Sequence, residues 1–372
     1  MFTHVDTPAL ILDAAKVERN CARMRERVRG QGVTLRPHVK TAKSVEVTQI
    51  ALGAAHGAIT VSTLREAEYF FDHGFRDILY AVGIVPAKVA RVAELERRGA
   101  RVSTIVDSVE AAEALLDASR KANVRIPAMV EMDCDGHRAG IPPGDDARLF
   151  AVADALGDSL LGLMTHAGDS YNCATTDAIR HVAERERAAV VNGAQALRAR
   201  GHACPVVSVG STPTATFAES FAGVTEVRTG VYMFNDLVMA GLGVCALDDI
   251  GISVLACVIG HQRDKGWVLV DAGWMALSRD RGTAKQKVDQ GFGLVCDAAG
   301  SPVDDLIVSD ANQEHGIVSR RDGGPIDFTR YPIGTLLRIL PNHACATAAQ
   351  HSEYRVLRDG SLAETWERFG GW

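Results

Sequence analysis

The sequence contains no long apolar run and no excess of positive charge. Nowhere do about eighteen uncharged apolar residues follow one another, and the opening MFTHVDTPALILD lacks the basic and apolar regions of a secretory signal. The formal net charge of −6 arises from 46 acidic and 40 basic residues spread along the chain. We therefore expect no membrane segment, no nucleic-acid partner and a cytoplasmic location.

Cysteine and aromatic residues are also scarce. The 8 cysteines are scattered over 372 residues without a C-x-x-C pair, which excludes a disulfide scaffold. Aromatic residues make up only 6%, but 47% of the chain is hydrophobic, and that is enough for a sizeable core. The length exceeds what one core usually organises, so we expect a large barrel with an appendage or two domains.

Short β-branched runs alternate with amphipathic stretches between about residue 30 and residue 230, the pattern of repeated βα units. In LREAEYFFDHG, apolar residues recur at helical spacing and Gly74 is expected to end the helix. This α/β pattern favours a closed (β/α)8 TIM-type barrel, with a doubly wound sheet as the alternative. The candidate strands lie near 33–40, 58–62, 77–82, 101–107, 128–133, 160–165, 205–209 and 225–228.

After about residue 245 the apolar period changes to two, in SVLACVIGH, GWVLVDAG, TLLRIL and EYRVLRDG. This alternation predicts a mostly β C-terminal domain. PALILD near the N-terminus has the same alternation and is expected to join that sheet as an extra strand. The predicted domains are an N-terminal strand at 1–14, a barrel at 15–240 and a β domain at 241–372.

Lys40 ends the first predicted barrel strand in VTLRPHVKT, two residues after His38. The chemistry of a TIM barrel lies at the carboxyl ends of its strands, and a lysine buried there loses its proton readily and becomes a nucleophile. A single strand-end lysine is a weak signal, however, and this stretch alone favours an exposed side chain.

Small and hydroxyl-bearing residues follow the last predicted strands. SVGSTPT, at 208–214, offers the backbone N–H groups of a phosphate site, which barrels often build after strands seven and eight. Gly230 in VRTGVYMF lets the backbone approach an anion, although a tight turn explains it equally. Arg138 in DGHRAG is a strand-end cation that either contacts a ligand or forms a salt bridge in its loop.

His343 and Cys345 are two positions apart, so on an extended segment both side chains face the same way. An imidazole and a soft thiolate suit Zn²⁺. The pair alone favours coincidence, because a structural zinc site needs four ligands. Two protein ligands suffice where a substrate completes the coordination of a catalytic metal.

Ten segments carry a resemblance to a known family, and they span almost the whole chain: DTPALILD, LRPHVKT, ITVSTLREAE, EMDCDGHRAGI, THAGDSY, SVGSTPT, EVRTGVY, VDAGW, NQEHG and PNHACATAA. In this order they resemble the D-serine dehydratase and D-threonine aldolase group of the alanine racemase-like fold. Within that group, HQRDKGWVLVDAGWMALSRDRGTAKQK is most similar to the D-threo-3-hydroxyaspartate dehydratases.

The resemblance implies a pyridoxal 5'-phosphate (PLP) cofactor bound covalently to Lys40. It implies that His166 lies against the pyridine ring, that Arg228 points at the ring nitrogen and that Tyr171 contacts cofactor or substrate. The expected cofactor-binding residues are His38, Lys40, Arg138, His166, Tyr171, Gly210, Ser211, Thr212, Arg228, Gly230 and Val231, of which Gly210–Thr212 and the Gly230 and Val231 amides would hold the phosphate.

The resemblance also implies a divalent metal at His343 and Cys345, with Zn²⁺ preferred over Mn²⁺ or Mg²⁺. Aldolases of the group carry aspartate at the second ligand position, so Cys345 favours a dehydratase. In the implied reaction, Lys40 removes the α-proton of a D-3-hydroxy amino acid and the metal assists loss of the hydroxyl. D-threo-3-hydroxyaspartate would give oxaloacetate and ammonia. A homodimer is implied as well.

Several alternatives stay open on the sequence. The substrate could be D-serine, giving pyruvate, or the reaction could be racemisation or the aldol cleavage of a D-threonine or 3-hydroxy-D-aspartate aldolase. A PLP-homeostasis protein is the alternative outside enzymes. Arg138, Arg279 and Arg281 are unranked candidates for binding a second substrate carboxylate. His315 either lies near the metal through a water or makes a structural hydrogen bond.

Overall fold

The computed structural model describes residues 2, 4–136 and 138–372. Within these residues the chain forms two compact units. The barrel unit comprises Cys21–Gly230 together with Gly371–Trp372, and the β unit comprises the described residues up to Asn20 together with Val231–Gly370.

The strands are β1 (Ala9–Asp13), β2 (Thr34–Leu35), β3 (Ile59–Val61), β4 (Asp77–Gly83), β5 (Arg101–Val106), β6 (Ala128–Met132), β7 (Leu160–Thr165), β8 (Val206–Val209), β9 (Glu226–Val227), β10 (Ile252–Gln262), β11 (Trp267–Val270), β12 (Leu294–Cys296), β13 (Pro302–Ala311), β14 (Gly316–Arg320), β15 (Leu336–Leu340), β16 (Glu353–Arg358) and β17 (Ser361–Glu367). The helices are α1 (Ala14–Gly30), α2 (Val45–Leu52), α3 (Leu64–Asp72), α4 (Pro86–Arg97), α5 (Val109–Lys121), α6 (Asp146–Leu156), α7 (Thr176–Ala199), α8 (Thr212–Phe217), α9 (Leu237–Gly241), α10 (Trp274–Leu277) and α11 (Ala344–Ala348).

The strands of the barrel unit form a parallel sheet in the order β2-β9-β8-β7-β6-β5-β4-β3. A parallel bridge between His38 and Thr60 joins the segment after β2 to β3, so the ring closes. Strands such as β3 and β6 are buried along their whole length, as expected when helices cover a parallel sheet. The predicted TIM-type barrel is confirmed, and the doubly wound alternative is wrong.

Helix α3 illustrates how local sequence sets the ends of the barrel helices. Thr63 caps its first turn by accepting a hydrogen bond from the Glu66 N–H at 3.0 Å. The apolar residues at helical spacing, including Phe70 and Phe71, are buried against the barrel. Gly74, which follows the helix, has φ of +92°, a conformation that other residues adopt at a cost.

The β unit is built on a mostly antiparallel sheet in the order β11-β14-β13-β12-β15-β10-β1-β16-β17, with an additional pairing between β10 and β11. Strand β1 pairs antiparallel with β10 and parallel with β16. Its residues Ile11 and Leu12 are completely buried. The prediction that PALILD joins the C-terminal sheet is therefore confirmed.

Among the described residues, none of the helices combines the length and the apolar character needed to cross a membrane.

Candidate functional site

Lys40 lies at the carboxyl end of the first barrel strand. The segment after β2 stays extended to His38, and the Val39 N–H donates to the Thr60 carbonyl at 2.9 Å. The chain then turns, because the Lys43 N–H bonds the Val39 carbonyl at 2.8 Å. This turn carries the Lys40 side chain out of the sheet, and it is exposed. The exposed side chain agrees with what this stretch of sequence alone favours, and the role of Lys40 as a nucleophile stays a prediction.

Two neutral histidines lie near Lys40. Burial and the positive charges of Lys40 and Arg228 hold the pKa of His38 well below its usual range, and the buried His38 Nδ1 has no hydrogen-bond partner.

His166, which follows β7, bonds the Gly210 carbonyl through Nδ1 at 2.6 Å. Because a carbonyl only accepts, that nitrogen carries the ring proton. Burial and nearby cations lower the pKa of His166 to about 3. Those cations are Arg138, Lys40 and Arg228.

Arg228 follows β9 and is almost completely buried, with 4% of its surface exposed. Its Nε donates to the Ser208 hydroxyl at 2.7 Å, and its Nη2 donates to the Thr165 carbonyl. The Ser208 hydroxyl in turn donates to Glu226 at 2.7 Å. Burial lowers the pKa of Arg228, yet an arginine stays charged in proteins. These bonds fix the guanidinium at the ends of the last barrel strands.

The predicted phosphate turn has its hydroxyls already engaged. Ser211 caps α8 and shares a hydrogen bond with the Thr214 hydroxyl at 2.9 Å. The Thr212 hydroxyl lies 2.5 Å from the Thr229 hydroxyl. A Cβ on Gly210 would lie 1.7 Å from the Arg228 carbonyl oxygen, so backbone packing alone requires glycine there. An anion at this turn would therefore be bound by backbone N–H groups, of which that of Gly210 already donates to Glu186 at 3.0 Å and that of Ser211 to the Thr214 hydroxyl at 3.3 Å.

Gly230 is explained by packing as well. A Cβ there would lie 2.7 Å from both the His38 carbonyl oxygen and the Thr41 hydroxyl. Val231 belongs to the β unit, where it begins a short 3-10 helix ending at Met233.

Glu186, on α7, is a site residue that the sequence analysis missed. One of its oxygens accepts hydrogen bonds from the Ala167 N–H at 3.1 Å and the Gly210 N–H at 3.0 Å. Burial raises its pKa, and only 2% of its surface is exposed. It therefore connects the loops that follow β7 and β8. The available signal was an acidic residue on the apolar face of α7, between Val182 and Ala189.

Tyr171 and Arg138 complete the predicted set. The Tyr171 ring centroid lies 6.4 Å from that of His166. Arg138 pairs with Glu131 at 3.4 Å, and half of its side chain is exposed. The barrel unit thus brings Lys40 and Arg228 near both neutral imidazoles, with Arg138 also near His166. Cations collected at a partly buried site suit an anionic ligand, and a phosphate-bearing cofactor fits it.

His343 and Cys345 lie together in the β unit, but not on one extended segment. His343 is extended at φ −133°, whereas Cys345 lies within α11. The helix begins here because Asp236 accepts the Ala344 N–H at 2.9 Å and alanine favours helix. The expected extended geometry is therefore wrong. The two side chains nevertheless form a hydrogen bond with each other.

The surroundings of His343 fit a metal ligand. Its Nδ1 lies 2.6 Å from the Asp280 carboxylate, which leaves Nε2 for coordination, the arrangement that orients most metal-bound histidines. Burial opposes a charge on His343, but hydrogen bonds with Asp280 and Cys345 raise its pKa to about 11. In the described ranges no three metal-binding side chains converge. The chain can thus offer His343 and Cys345 as two metal ligands. His315, the further candidate, is exposed in the turn before β14.

Comparison with known proteins identifies the family. The family model described as "Alanine racemase, N-terminal domain" matches residues 12–237, and "Putative serine dehydratase domain" matches 251–357. The chain belongs to the alanine racemase-like family of PLP-dependent enzymes, within its group of D-amino acid lyases. It is 53% identical to D-threo-3-hydroxyaspartate dehydratase of Delftia sp. (strain HT23), covering 99% of this chain and 98% of that protein. It is 33% identical to D-serine dehydratase of Dictyostelium discoideum, over 96% and 94%.

Solved structures agree with this assignment. The D-threo-3-hydroxyaspartate dehydratase from Delftia sp. HT23 superposes with a TM-score of 0.97 at 53% identity, covering 99% of both chains. A cysteine-to-alanine variant of D-threo-3-hydroxyaspartate dehydratase, in the metal-free form, superposes equally well at 52% identity and the same coverage. The resemblance inferred from the ten segments is confirmed.

The lowered pKa of His166 predicts acid sensitivity. An unfolded histidine binds a proton near pH 6.5, whereas folded His166 does so only near pH 3, so acidification through this window favours unfolding. The loss is at most about 1.4 kcal/mol for each pH unit. His166→Asn keeps an N–H donor for Gly210 and removes the titration. Its urea midpoint should fall less steeply with pH than that of the parent.

The exposed His181 provides the matched control. His181→Asn should follow the parent profile. Equal acid sensitivity of His166→Asn and the parent would contradict the electrostatic account.

Proposed function

We propose that this protein dehydrates D-threo-3-hydroxyaspartate to oxaloacetate and ammonia, with PLP on Lys40 and a divalent metal, Zn²⁺ by preference, at His343 and Cys345. The observation that carries the proposal is the contact between His343 and Cys345 with Asp280 bonded behind the imidazole. The 53% identity to a dehydratase of this substrate over 99% of the chain supports the choice. A cytoplasmic homodimer stays a prediction.

The residues of the barrel unit would hold the cofactor and move one proton. Bound PLP supplies an electron sink that acidifies the Cα–H of an amino acid. The N–H groups of Thr212, Gly230 and Val231 would bind the phosphate, because the Gly210 and Ser211 N–H groups donate to Glu186 and to the Thr214 hydroxyl. His166 would present a neutral ring, because burial and nearby cations lower its pKa to about 3, and its one ring proton is donated to Gly210. The Lys40 amine would remove the α-proton as a general base.

Arg228 would face the pyridine nitrogen without protonating it. A guanidinium has five N–H donors and no acceptor, and this one is held by Ser208 and Thr165. The arginine therefore favours an unprotonated ring nitrogen, which withdraws electrons less strongly. Other groups must then contribute more to lowering the activation barrier for loss of the hydroxyl.

His343 and Cys345 would supply that assistance by holding a metal. A divalent ion lowers the barrier to C–O cleavage because it stabilises negative charge on the departing oxygen. The metal-free form of the relative's cysteine-to-alanine variant supports a cysteine ligand. Histidine-to-alanine and cysteine-to-alanine variants of that relative are two positions apart, as His343 and Cys345 are here.

Product analysis tests the proposal directly. Purified holoenzyme is incubated separately with D-threo-3-hydroxyaspartate, D-serine and D-threonine, and products are identified by mass spectrometry. We expect equal amounts of oxaloacetate and ammonia from the first, with the highest kcat/KM. Glycine and an aldehyde from every active substrate would instead identify an aldolase. Pyruvate from D-serine as the preferred reaction would identify a D-serine dehydratase.

Lys40→Ala should abolish covalent cofactor attachment and lower kcat by about 100-fold or more, because both the anchoring amine and the general base are lost. Visible absorbance after gel filtration reports the bound cofactor. Lys40→Arg is the matched control for charge, since it keeps the cation near His38 and His166 but cannot bond the aldehyde. Cofactor that borohydride still fixes covalently to the chain in either variant would refute the role of Lys40.

Cys345→Ala and Asp280→Asn should both weaken metal binding. The first removes a ligand, and the second disturbs the histidine's orientation, which typically costs about 10- to 100-fold in metal affinity. Metal content per chain is measured by inductively coupled plasma mass spectrometry, and dehydration is followed after chelation and re-addition of Zn²⁺, Mn²⁺ or Mg²⁺. Cys257→Ala, in β10 of the same unit, is the control. Full activity of chelated, metal-free protein would refute the metal's role.

A further inference from the structure

A dicarboxylate substrate requires a cation for its distal carboxylate. The three candidate arginines differ in whether they already have a carboxylate partner. Arg138 is paired with Glu131 at 3.4 Å. Arg281 is paired with Asp289 at 2.7 Å and stacks on the Phe292 ring, 5.0 Å from its centroid. Both guanidiniums therefore already have a carboxylate partner.

Arg279 differs from both. It forms no ion pair with any residue that the structure describes, and it is exposed. Its guanidinium instead lies over the Trp274 ring, 4.9 Å from the centroid. Stacking on indole orients a guanidinium while leaving its N–H donors at the edge available for a planar, bidentate carboxylate.

The chain around Arg279 is held in one conformation. Ser278, directly before it, has φ of +75° and ψ of +161°, a region essentially restricted to glycine. The Ser278 hydroxyl accepts the Asp280 N–H at 3.0 Å. A non-glycine residue persists in such a conformation only when its surroundings impose it. The backbone that presents Arg279 is therefore fixed rather than free to adapt.

The same segment is attached to the proposed metal ligands. Asp280, the next residue, bonds His343 at 2.6 Å. The Thr347 hydroxyl of α11 donates to the Leu277 carbonyl at 2.8 Å. Arg279 thus lies between two points of attachment to the His343–Thr347 segment.

From this arrangement, and resting on the proposed function, we infer that Arg279 binds the distal carboxylate of a dicarboxylic D-amino acid and that Trp274 positions it. In 3-hydroxyaspartate the distal carboxylate is bonded to the carbon that carries the hydroxyl. A hydroxyl directed to His343 and Cys345 therefore brings that carboxylate towards the residue beside Asp280. Arg279 would make the enzyme selective for substrates with this second carboxylate over D-serine.

Arg279→Met tests the inference because it keeps an unbranched side chain and removes the charge. In the holoenzyme, kcat/KM for D-threo-3-hydroxyaspartate should fall about 10- to 100-fold, chiefly through KM, while kcat/KM for D-serine stays unchanged. Calorimetric titration provides a second readout with D-aspartate and D-alanine, which have no hydroxyl to lose. The Kd of D-aspartate should rise by a similar factor and that of D-alanine should not change.

Arg263→Met is the matched control, since Arg263 stacks on Phe328 elsewhere in the β unit, 5.0 Å from the ring centroid. It should leave kcat/KM for D-threo-3-hydroxyaspartate and D-serine, and Kd for D-aspartate and D-alanine, as in the parent. Equal losses for mono- and dicarboxylates in Arg279→Met, or selective losses in Arg138→Met or Arg281→Met instead, would overturn the inference. If the parent fails to convert 3-hydroxyaspartate but its D-aspartate affinity still depends on Arg279, the proposed substrate is wrong and the carboxylate site stands.

Discussion

A cluster of cations at the carboxyl ends of the barrel strands, in which Arg138 is tied directly to Glu131 and Arg228 is tied through Ser208 to Glu226, is the constraint on which the candidate site depends. Lys40 and Arg228 act on both His38 and His166, Arg138 acts on His166 as well, and burial favours the neutral form of both rings. The neutral imidazoles add no charge of their own, so Lys40 and the two arginines are the groups that attract an anion. Such a site is most stable with an anion bound, which is the physical reason that a phosphate-bearing cofactor fits here.

The cations must also be held in fixed positions, and hydrogen bonds from buried polar residues hold them. Glu186 holds the loops after β7 and β8 through two backbone N–H groups. The Arg228–Ser208–Glu226 chain extends to Arg36, whose Nε bonds Glu226 at 2.8 Å. Each buried charge in this network has hydrogen-bond partners, which is the condition under which burial is tolerated. The cations are thereby held where the strands end.

The sequence predicted the features that depend on local pattern. The barrel strands and β1 could be recognised because apolar periodicity reports which faces are buried. Features set by contacts distant in the chain could not. Glu186 looks like an ordinary helical glutamate until the two loops that it bonds are known. The sequence around Gly210 predicts a phosphate-binding turn, and the structure adds a packing reason for the glycine, since a Cβ there would collide with the Arg228 carbonyl oxygen. The spacing of His343 and Cys345 predicts an extended segment, but Cys345 lies in a helix. That helix begins where Asp236, more than a hundred residues earlier, accepts the Ala344 N–H, and local sequence does not report such a contact.

The central claim, a cofactor bonded to Lys40, is tested most directly by reducing the holoenzyme with borohydride and mapping its tryptic peptides. Trypsin does not cut before Pro37 or after a modified lysine, so the account predicts one phosphopyridoxyl group, on position 40 of the peptide 30–43. A phosphopyridoxyl group on any other lysine, with position 40 unmodified, would contradict it.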